Sequence, residues 1–247
     1  MNLLVYHHLG LGDHIICSGL VNHLCDEYDT ILLLTKTTYV DSVGFLFRNN
    51  PRVTVIDVPD DAAAAKFFES FSGKKIRLGF DYLKKSGLPF DEAFYSQAAI
   101  PFVERWDRFS LGRDLEAEKA LFATYKVQLR KYVFLHEDID KGFVLNRKYI
   151  VDTALPVVSP IPDLTKNIFD YCYLIENATE IHCMDSSFKL LADSLRPTSD
   201  SLYHHLYVRG RDRLHVSTSR WHWKKVYYRN SIIDAWMRFA RPRYIGL

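Results

Sequence analysis

The chain has 247 residues, of which 48% are hydrophobic and 25% charged, a composition typical of soluble globular proteins. Its formal net charge of +2 excludes a partner that is recognised through overall charge alone, such as non-specifically bound nucleic acid. No apolar run approaches the roughly 20 residues that a membrane-spanning helix needs, so we expect no transmembrane segment.

The first half alternates short apolar segments with segments of helical period. Strands are predicted at 2–6, 30–35, 52–58 and 75–80, and helices at 13–27, 40–48, 60–71, 89–99 and 114–126. Strands that alternate with helices pair in parallel through crossover connections. The order therefore predicts an α/β fold with a doubly wound, Rossmann-like sheet.

The strand pattern restarts after residues 125–130, which predicts a second Rossmann-like unit. Strands are expected at 131–136, 143–145, 149–151, 157–161, 180–184 and 202–208, and helices at 166–177, 185–195 and 217–239. We expect Thr165 to cap the first of these helices. The predicted domains are residues 1–127 and 128–247, two halves that face each other across a cleft.

Cysteine usage predicts the compartment. Cys17, Cys25, Cys172 and Cys183 form no Cys-x-x-Cys pair, and all four lie in segments that resemble helices or strands. Free, buried thiols are typical of proteins in a reducing compartment. The apolar N-terminal segment is too short for a signal peptide, so we expect a cytoplasmic protein.

A glycine-rich turn, Gly10-Leu11-Gly12-Asp13, connects the first strand to the first helix. Glycines let a ligand approach the helix N-terminus, whose unpaired N–H groups favour anions. Ile15 and Lys36 depart from the pattern of nicotinamide dinucleotide-binding proteins, which weakens that alternative. A second alternative is a tight turn without a ligand. The third is that Asp13 projects into the cleft as a general base.

A second polar turn, Asp185-Ser186-Ser187, follows the predicted strand 180–184 and opens a helix. Backbone N–H groups, two hydroxyls and the helix dipole converge at such a turn, which suits a diphosphate. The alternative is an ordinary Asp/Ser helix cap.

The two turns together resemble the signature regions of heptosyltransferase-like glycosyltransferases of the GT-B fold. The similar segments are Gly10-Leu11-Gly12-Asp13-His14-Ile15-Ile16, residues 175–178 and residues 181–192. The resemblance implies two Rossmann-like domains and a C-terminal helix that crosses back to the first. It also implies that Asp13 is the catalytic base of an inverting sugar transfer and that Ser186 and Ser187 hold the donor diphosphate.

The resemblance also implies a nucleoside-diphosphate sugar as donor, a glycan or glycolipid as acceptor, and no required cofactor or metal. We expect further donor contacts from the second half, namely His136, Asp138, Lys141, Arg147, Asp163 and Asp185. Basic side chains among them would neutralise phosphate charge. On the acceptor side we expect His8, Glu92 and Tyr95.

Three alternatives remain at this point. Asp138 and Asp140 form an Asp-x-Asp pattern of the kind that holds a divalent cation in metal-dependent transferases. The chain could instead bind a nucleotide or nucleotide sugar without turnover. The basic, aromatic segment 209–243 is of a type that binds nucleic acid or an anionic membrane surface. We interpret it as the crossing helix, and expect peripheral membrane contact at most and no nucleic-acid partner.

Overall fold

A computed structural model describes residues 1–127, 131–161, 163–209 and 217–227. The first half contains a parallel sheet of four strands in the order β3-β2-β1-β4, formed by β1 (Asn2–Tyr6), β2 (Thr30–Lys36), β3 (Val53–Val58) and β4 (Lys74–Arg77). The crossover helices are α1 (Leu11–Leu24), α2 (Val40–Phe47) and α3 (Asp61–Ser70). The predicted doubly wound, parallel sheet is confirmed.

Four further helices follow this sheet: α4 (Phe80–Ser86), α5 (Phe90–Gln97), α6 (Glu104–Asp107) and α7 (Leu115–Thr124). The strand predicted at 75–80 was too long, because the chain turns at Gly79, whose φ of +90° favours glycine. Helices α4 and α6 were not predicted. Both are short, and α4 carries three charged residues in seven, so neither has a clear apolar face.

The second half contains a parallel sheet of five strands in the order β6-β5-β7-β8-β9. The strands are β5 (Val133–His136), β6 (Val157–Val158), β7 (Glu180–Met184), β8 (Leu202–His205) and β9 (Lys224–Val226), and the helices are α8 (Cys172–Glu176) and α9 (Ser187–Ser194). Strand β7 has its predicted bounds. None of the helices in the described ranges has the length and hydrophobicity needed to cross a lipid bilayer.

The strands predicted at 143–145 and 149–151 are absent. Phe143 forms only an isolated bridge with Asp138, and residues 147–149 form a single 3₁₀ turn. Carboxylates take the backbone donors of this segment in place of a neighbouring strand. Glu137 accepts from the Leu145 amide, and Glu180 accepts from the Val151 and Asp152 amides.

Two predicted helices also differ from the structure. The helix expected at 166–177 is a 3₁₀ turn followed by α8, and the side chain of Asn167, not that of Thr165, caps it. The helix expected at 217–239 is wrong for 217–227, because this segment is extended and contributes the edge strand β9. The rest of that predicted helix, and with it the crossing back to the first half, lies outside the described residues.

One continuous apolar core joins the two sheets. It extends from Leu3 and Val5 of β1 through α1 to Leu191 of α9 and Trp223 beside β9. Helix α1 lies at its centre and packs against α5 and α6 of its own half and against α9 of the other half. Close approach of α6 requires Gly19, since a Cβ atom there would lie 2.2 Å from the carbonyl oxygen of Glu104.

We therefore expect Gly19→Ala to destabilise the protein by about 2–3 kcal/mol, because the added methyl group meets backbone atoms that move only with α6. The free energy of unfolding, measured by urea denaturation, tests this. A matched control is Gly44→Ala in α2, where an added Cβ has no neighbour within 4 Å. That control should gain up to about 1 kcal/mol from helix propensity. Equal stability of the two variants would contradict the packing argument.

A buried ion network lies behind α9 and links the two halves. The Arg105 guanidinium pairs with the Asp91 carboxylate and lies 3.4 Å from the Asp193 carboxylate, and all three side chains are fully buried. Lys189 is also buried, and its ammonium group donates to the Ser217 and Ser219 hydroxyls at 3.0 and 2.6 Å. Burial raises the pKa of Asp91 to about 6, although Arg105 opposes the rise.

Buried histidines predict a loss of stability in acid. Burial lowers the pKa of His7 and His136 to about 4 and that of His205 to about 3. Unfolded histidines titrate near 6.5, so each of the three binds a proton only on unfolding between about pH 6 and pH 4.5. Asp91 has the opposite effect on stability, because in this pH range its carboxyl group holds a proton in the folded state and releases it on unfolding.

On unfolding, the three histidines take up three protons and Asp91 releases one. These four groups therefore take up two protons in total. These four groups alone should lower the free energy of unfolding by about 3 kcal/mol per pH unit near pH 5, and His14 and His204, whose pKa values burial also lowers, add to this loss. Urea denaturation at pH 7.5, 6 and 5 measures this slope. A constant free energy of unfolding across that range would show that the histidines are not buried in their neutral form.

Candidate active site

The N-termini of α1 and α9 meet where the two halves face each other. A Cβ atom at Gly12 would lie 2.8 Å from Leu190 Cδ1, 3.8 Å from Ser187 Cα and 4.0 Å from the Ser187 nitrogen. Each helix follows the carboxyl end of a parallel strand, β1 or β7. The glycine-rich turn and the Asp-Ser-Ser turn are thus neighbours, and a side chain at residue 12 would require the Leu190 side chain to move.

Asp13 lies in the first turn of α1 and is partly exposed. Its Oδ2 atom lies 2.7 Å from the position that a Cβ atom of Gly10 would take, and its amide donates to the Gly10 carbonyl at 3.0 Å. A side chain at residue 10 would therefore displace the carboxylate. Gly12, the residue before Asp13, lies beside Ser187 in the first turn of α9.

The Asp-Ser-Ser turn has the geometry of a capped helix start. Ser186 is extended, and its hydroxyl accepts the Lys189 amide at 3.4 Å. The same hydroxyl lies 3.0 Å from His136 Nδ1 at the end of β5. The first-turn amides of Ser187 and Phe188 have no acceptor within their own helix. Such amides, with the helix dipole, suit an anion.

His136 is held in a fixed orientation. Its ring stacks on Phe188 with centroids 4.3 Å apart, and burial lowers the pKa of its imidazole to about 4. The ring is therefore neutral at pH 7. Asp185 is buried beside this turn, and its carbonyl accepts a hydrogen bond of 3.0 Å from Arg209. The structure brings His136, Asp185, Ser186 and Ser187 together at the start of α9, and their role in donor binding stays a prediction.

The loop after β5 places its charges in local pairs. The Lys141 ammonium donates to Asp138 Oδ2 at 2.7 Å. Arg147 donates to both oxygens of Glu137, at 2.5 and 3.3 Å. Each of these cations already has a carboxylate partner. A phosphate that bound Lys141 or Arg147 would have to displace that carboxylate or share the cation with it. Asp163 is exposed in a turn with φ of +65°.

The Asp-x-Asp pattern has no metal-binding neighbours in the part of the chain that the structure describes. No group of three His, Cys, Asp or Glu side chains there could hold a metal ion. Asp138 pairs with Lys141, and Asp140 is exposed.

The three residues predicted on the acceptor side support the fold around α1 and α5. His8 Nε2 accepts the Phe80 amide at 3.0 Å, and Glu92 accepts the Thr218 hydroxyl at 2.7 Å. Tyr95 is fully buried, and its hydroxyl donates to the Ile16 carbonyl and accepts from the Leu20 amide. The prediction that Tyr95 lines an acceptor groove is corrected by this burial.

Sequence reasoning missed the buried network that supports the candidate site from behind. Lys189 and Asp193 are four residues apart on α9, where they share a face with apolar neighbours. A Lys-Asp pair at this spacing within an apolar helix was a usable signal for a buried ion pair. Arg105 gave no such signal, because α6 has only four residues.

Neither protein-family models nor curated protein sequences match this chain. Solved structures do. A glycosyl transferase family 9 protein from Veillonella parvula DSM 2008 superposes with a TM-score of 0.56 at 10% identity, over 91% of this chain and 85% of that chain. This likeness is one of fold.

The iron-containing dodecameric glycosyltransferase TibC from enterotoxigenic E. coli H10407 is similar, with a TM-score of 0.55, 14% identity and 95% coverage of this chain. A second TibC structure, described as a heptosyltransferase in complex with ADP-D-β-D-heptose, superposes with a TM-score of 0.52 at 11% identity, over 95% of this chain. This chain spans 64% and 65% of those two TibC chains. At these identities the three structures establish a shared α/β fold with parallel sheets.

Proposed function

We propose that this chain is an inverting glycosyltransferase with a GT-B arrangement, which moves a sugar from a nucleoside-diphosphate sugar to a hydroxyl group of a glycan or glycolipid. One observation carries the proposal. The turn that carries Asp13 lies beside the first turn of α9, because Gly12 is next to Ser187. In our proposal a base from the first half and an anion site from the second half act on the same bound donor and acceptor. The fold shared with three glycosyltransferase structures supports this interpretation.

In the proposed reaction the donor diphosphate binds the amides of Ser187 and Phe188. The Ser186 hydroxyl, oriented by His136, contributes a further hydrogen bond. The acceptor oxygen attacks the anomeric carbon, the bond from that carbon to the diphosphate breaks, and Asp13 takes the hydroxyl proton. The nucleoside diphosphate leaves with the additional negative charge, which the N-terminus of α9 stabilises. Lys141 and Arg147 are proposed to approach the phosphates, and Asp163 the nucleoside.

This mechanism assigns charge stabilisation to protein groups and requires no metal. The four cysteines are free and buried, as a reducing compartment would maintain them, so we place the protein in the cytoplasm.

Nucleotide binding is the direct test of the donor site. We expect one nucleoside diphosphate among UDP, GDP and ADP to raise the midpoint of thermal unfolding, because a ligand that binds only the folded state adds about 2.7 kcal/mol at 100 times its Kd. The shift should be the same with and without Mn²⁺. A shift that appears only with Mn²⁺ would favour the Asp138/Asp140 alternative. Stabilisation by NAD alone would contradict the proposal, and stabilisation without sugar transfer would identify a binding module.

A further inference from the structure

Arg77 presents a free guanidinium group at the carboxyl end of the first sheet. It is the last residue of β4 and pairs in register with Tyr6, the last residue of β1. Its guanidinium carbon lies 4.0 Å from the centroid of the Phe80 ring and 5.4 Å from that of the Tyr6 ring. Arg77 is exposed, and its side chain makes no ion pair or hydrogen bond with a residue in the described ranges. The N–H donors of this guanidinium are therefore available to an anion.

The turn after β4 holds Phe80 against this guanidinium in a strained conformation. The φ angle of Phe80 is +48°, in the left-handed region that residues with a side chain rarely adopt. Gln97 fixes the turn, since its side chain donates to the Arg77 carbonyl at 2.9 Å and accepts the Gly79 amide at 2.8 Å. His8 Nε2 fixes it again by accepting the Phe80 amide at 3.0 Å. Strained residues that the surrounding contacts hold in this way cluster at ligand sites.

His8 supplies a second free donor beside the same ring. Because its Nε2 atom accepts the Phe80 amide, the neutral imidazole carries its proton on Nδ1. Burial lowers the pKa of His8, although the Asp61 carboxylate opposes the change, so the ring is neutral at pH 7. The Nδ1 N–H group has no hydrogen-bond partner in the part of the chain that the structure describes. The ring centroids of His8 and Phe80 lie 4.8 Å apart, so both free donors lie at one aromatic ring.

The charges near this ring match a carboxylate. The Lys36 ammonium pairs with Asp61 at 2.6 Å, whereas Arg77 has no such partner among the described residues. Burial raises the pKa of the Tyr6 hydroxyl, and the Arg77 charge opposes the rise. Asp61 and Lys36 act on the same hydroxyl, so all three charges lie near it. Two cations and one carboxylate leave one net positive charge. A bound carboxylate balances that charge, whereas a phosphate monoester carries about 1.5–2 negative charges at pH 7.

We propose that Arg77 and His8 form a carboxylate-binding subsite, which recognises an acidic sugar of the glycan acceptor. The Arg77 guanidinium donates to the carboxylate oxygens, and the His8 Nδ1 N–H group donates a further hydrogen bond. Phe80 keeps the guanidinium in place, so less side-chain entropy is lost on binding. The assignment to the acceptor rests on the proposed function, in which the base Asp13 lies five residues after His8. The carboxylate subsite itself needs no donor nucleotide.

Titration of ¹⁵N-labelled protein without nucleotide, followed through the Gly79 and Phe80 amide resonances, tests the subsite. The probes are glucuronic acid, glucose 6-phosphate and glucose. We expect a Kd of about 1–10 mM for glucuronic acid, weaker binding of glucose 6-phosphate, and at least about tenfold weaker binding of glucose. Arg77→Gln should weaken glucuronic acid binding about tenfold, because it removes the charge-assisted hydrogen bonds. His8→Gln keeps an acceptor for the Phe80 amide but loses the Nδ1 donor, so it should weaken binding about threefold.

The matched control is Arg48→Gln. Arg48 is also exposed and lies over a phenylalanine ring, 4.2 Å from the centroid of Phe45, but its guanidinium donates to the Arg113 carbonyl. This variant should bind glucuronic acid as well as the unmodified protein does. Thermal midpoints show whether each variant is folded.

Three outcomes would contradict the subsite. Glucose 6-phosphate that binds more tightly than glucuronic acid would overturn the assignment to a carboxylate. Undiminished binding by folded Arg77→Gln would overturn the role of the guanidinium. Absence of glucuronic acid binding in protein that still binds its nucleoside diphosphate would overturn the subsite and leave the proposed transfer in place.

Discussion

Asp13→Asn is expected to lower kcat/KM for sugar transfer by about 10²–10⁴-fold, because an amide cannot take the proton from the attacking hydroxyl. The substitution keeps the size of the side chain. Affinity for the nucleoside diphosphate should change little, since the proposed phosphate ligands belong to α9. Steady-state transfer rates and nucleotide titration, measured on the same preparation, separate the two effects.

The matched control for this substitution is Asp41→Asn. Asp41 also lies in the first turn of a helix, α2, and its side chain is exposed. Any general effect of removing a carboxylate from a helix N-terminus will appear in both variants. Loss of transfer only in Asp13→Asn would identify a chemical role. Full transfer activity in a folded Asp13→Asn variant would exclude Asp13 as the base.

Arg105→Met is expected to destabilise the protein by about 3–5 kcal/mol, because it leaves the Asp91 carboxylate without its paired guanidinium and removes one of the two buried cations near Asp193. The Arg105 guanidinium also donates to the Thr218 carbonyl at 2.8 Å, so the variant additionally loosens segment 217–219 from the first half. The free energy of unfolding from urea denaturation measures the effect. Far-UV circular dichroism shows whether the variant still folds.

Arg108→Met is the control, three residues further along the chain. Its guanidinium pairs with Asp26 and Glu104 at a partly exposed position. Exposed ion pairs contribute about 0–1 kcal/mol, so this variant should be nearly as stable as the unmodified protein. A second experiment combines Asp91→Asn with Arg105→Met. The added substitution removes a buried carboxylate that has lost its guanidinium partner, so it should recover part of the lost free energy of unfolding. A loss below 1 kcal/mol for Arg105→Met would mean that water reaches the network.

The central strands were predictable because buried parallel strands are apolar along their whole length. Strands β1, β2 and β5 have mainly apolar interiors, and their bounds were predicted to within two residues. Edge strands contain fewer buried apolar residues, so this pattern is weaker in them. Strand β9 includes Lys224 and Lys225, so it was interpreted as part of a helix.

The segments that sequence reasoning missed depend on contacts between distant residues. Residues 143–151 stay irregular because Glu137 and Glu180 bind their amides, and no local pattern reports such a contact. The two turns were predictable as strand-to-helix turns, since glycine, aspartate and serine favour helix starts, and their roles as base and diphosphate site stay predictions. Tyr95 was misplaced because its hydroxyl belongs to the backbone of α1, 75 residues earlier at Leu20.

The continuous core between the sheets constrains how the molecule can move. Separation of the halves as rigid bodies would expose the faces of α1 and α9, at a cost of about 25 cal/mol for each Å² of apolar surface. It would also break the buried pairing between Arg105 and Asp193. A hinge motion between the halves therefore carries a large free-energy cost in this protein.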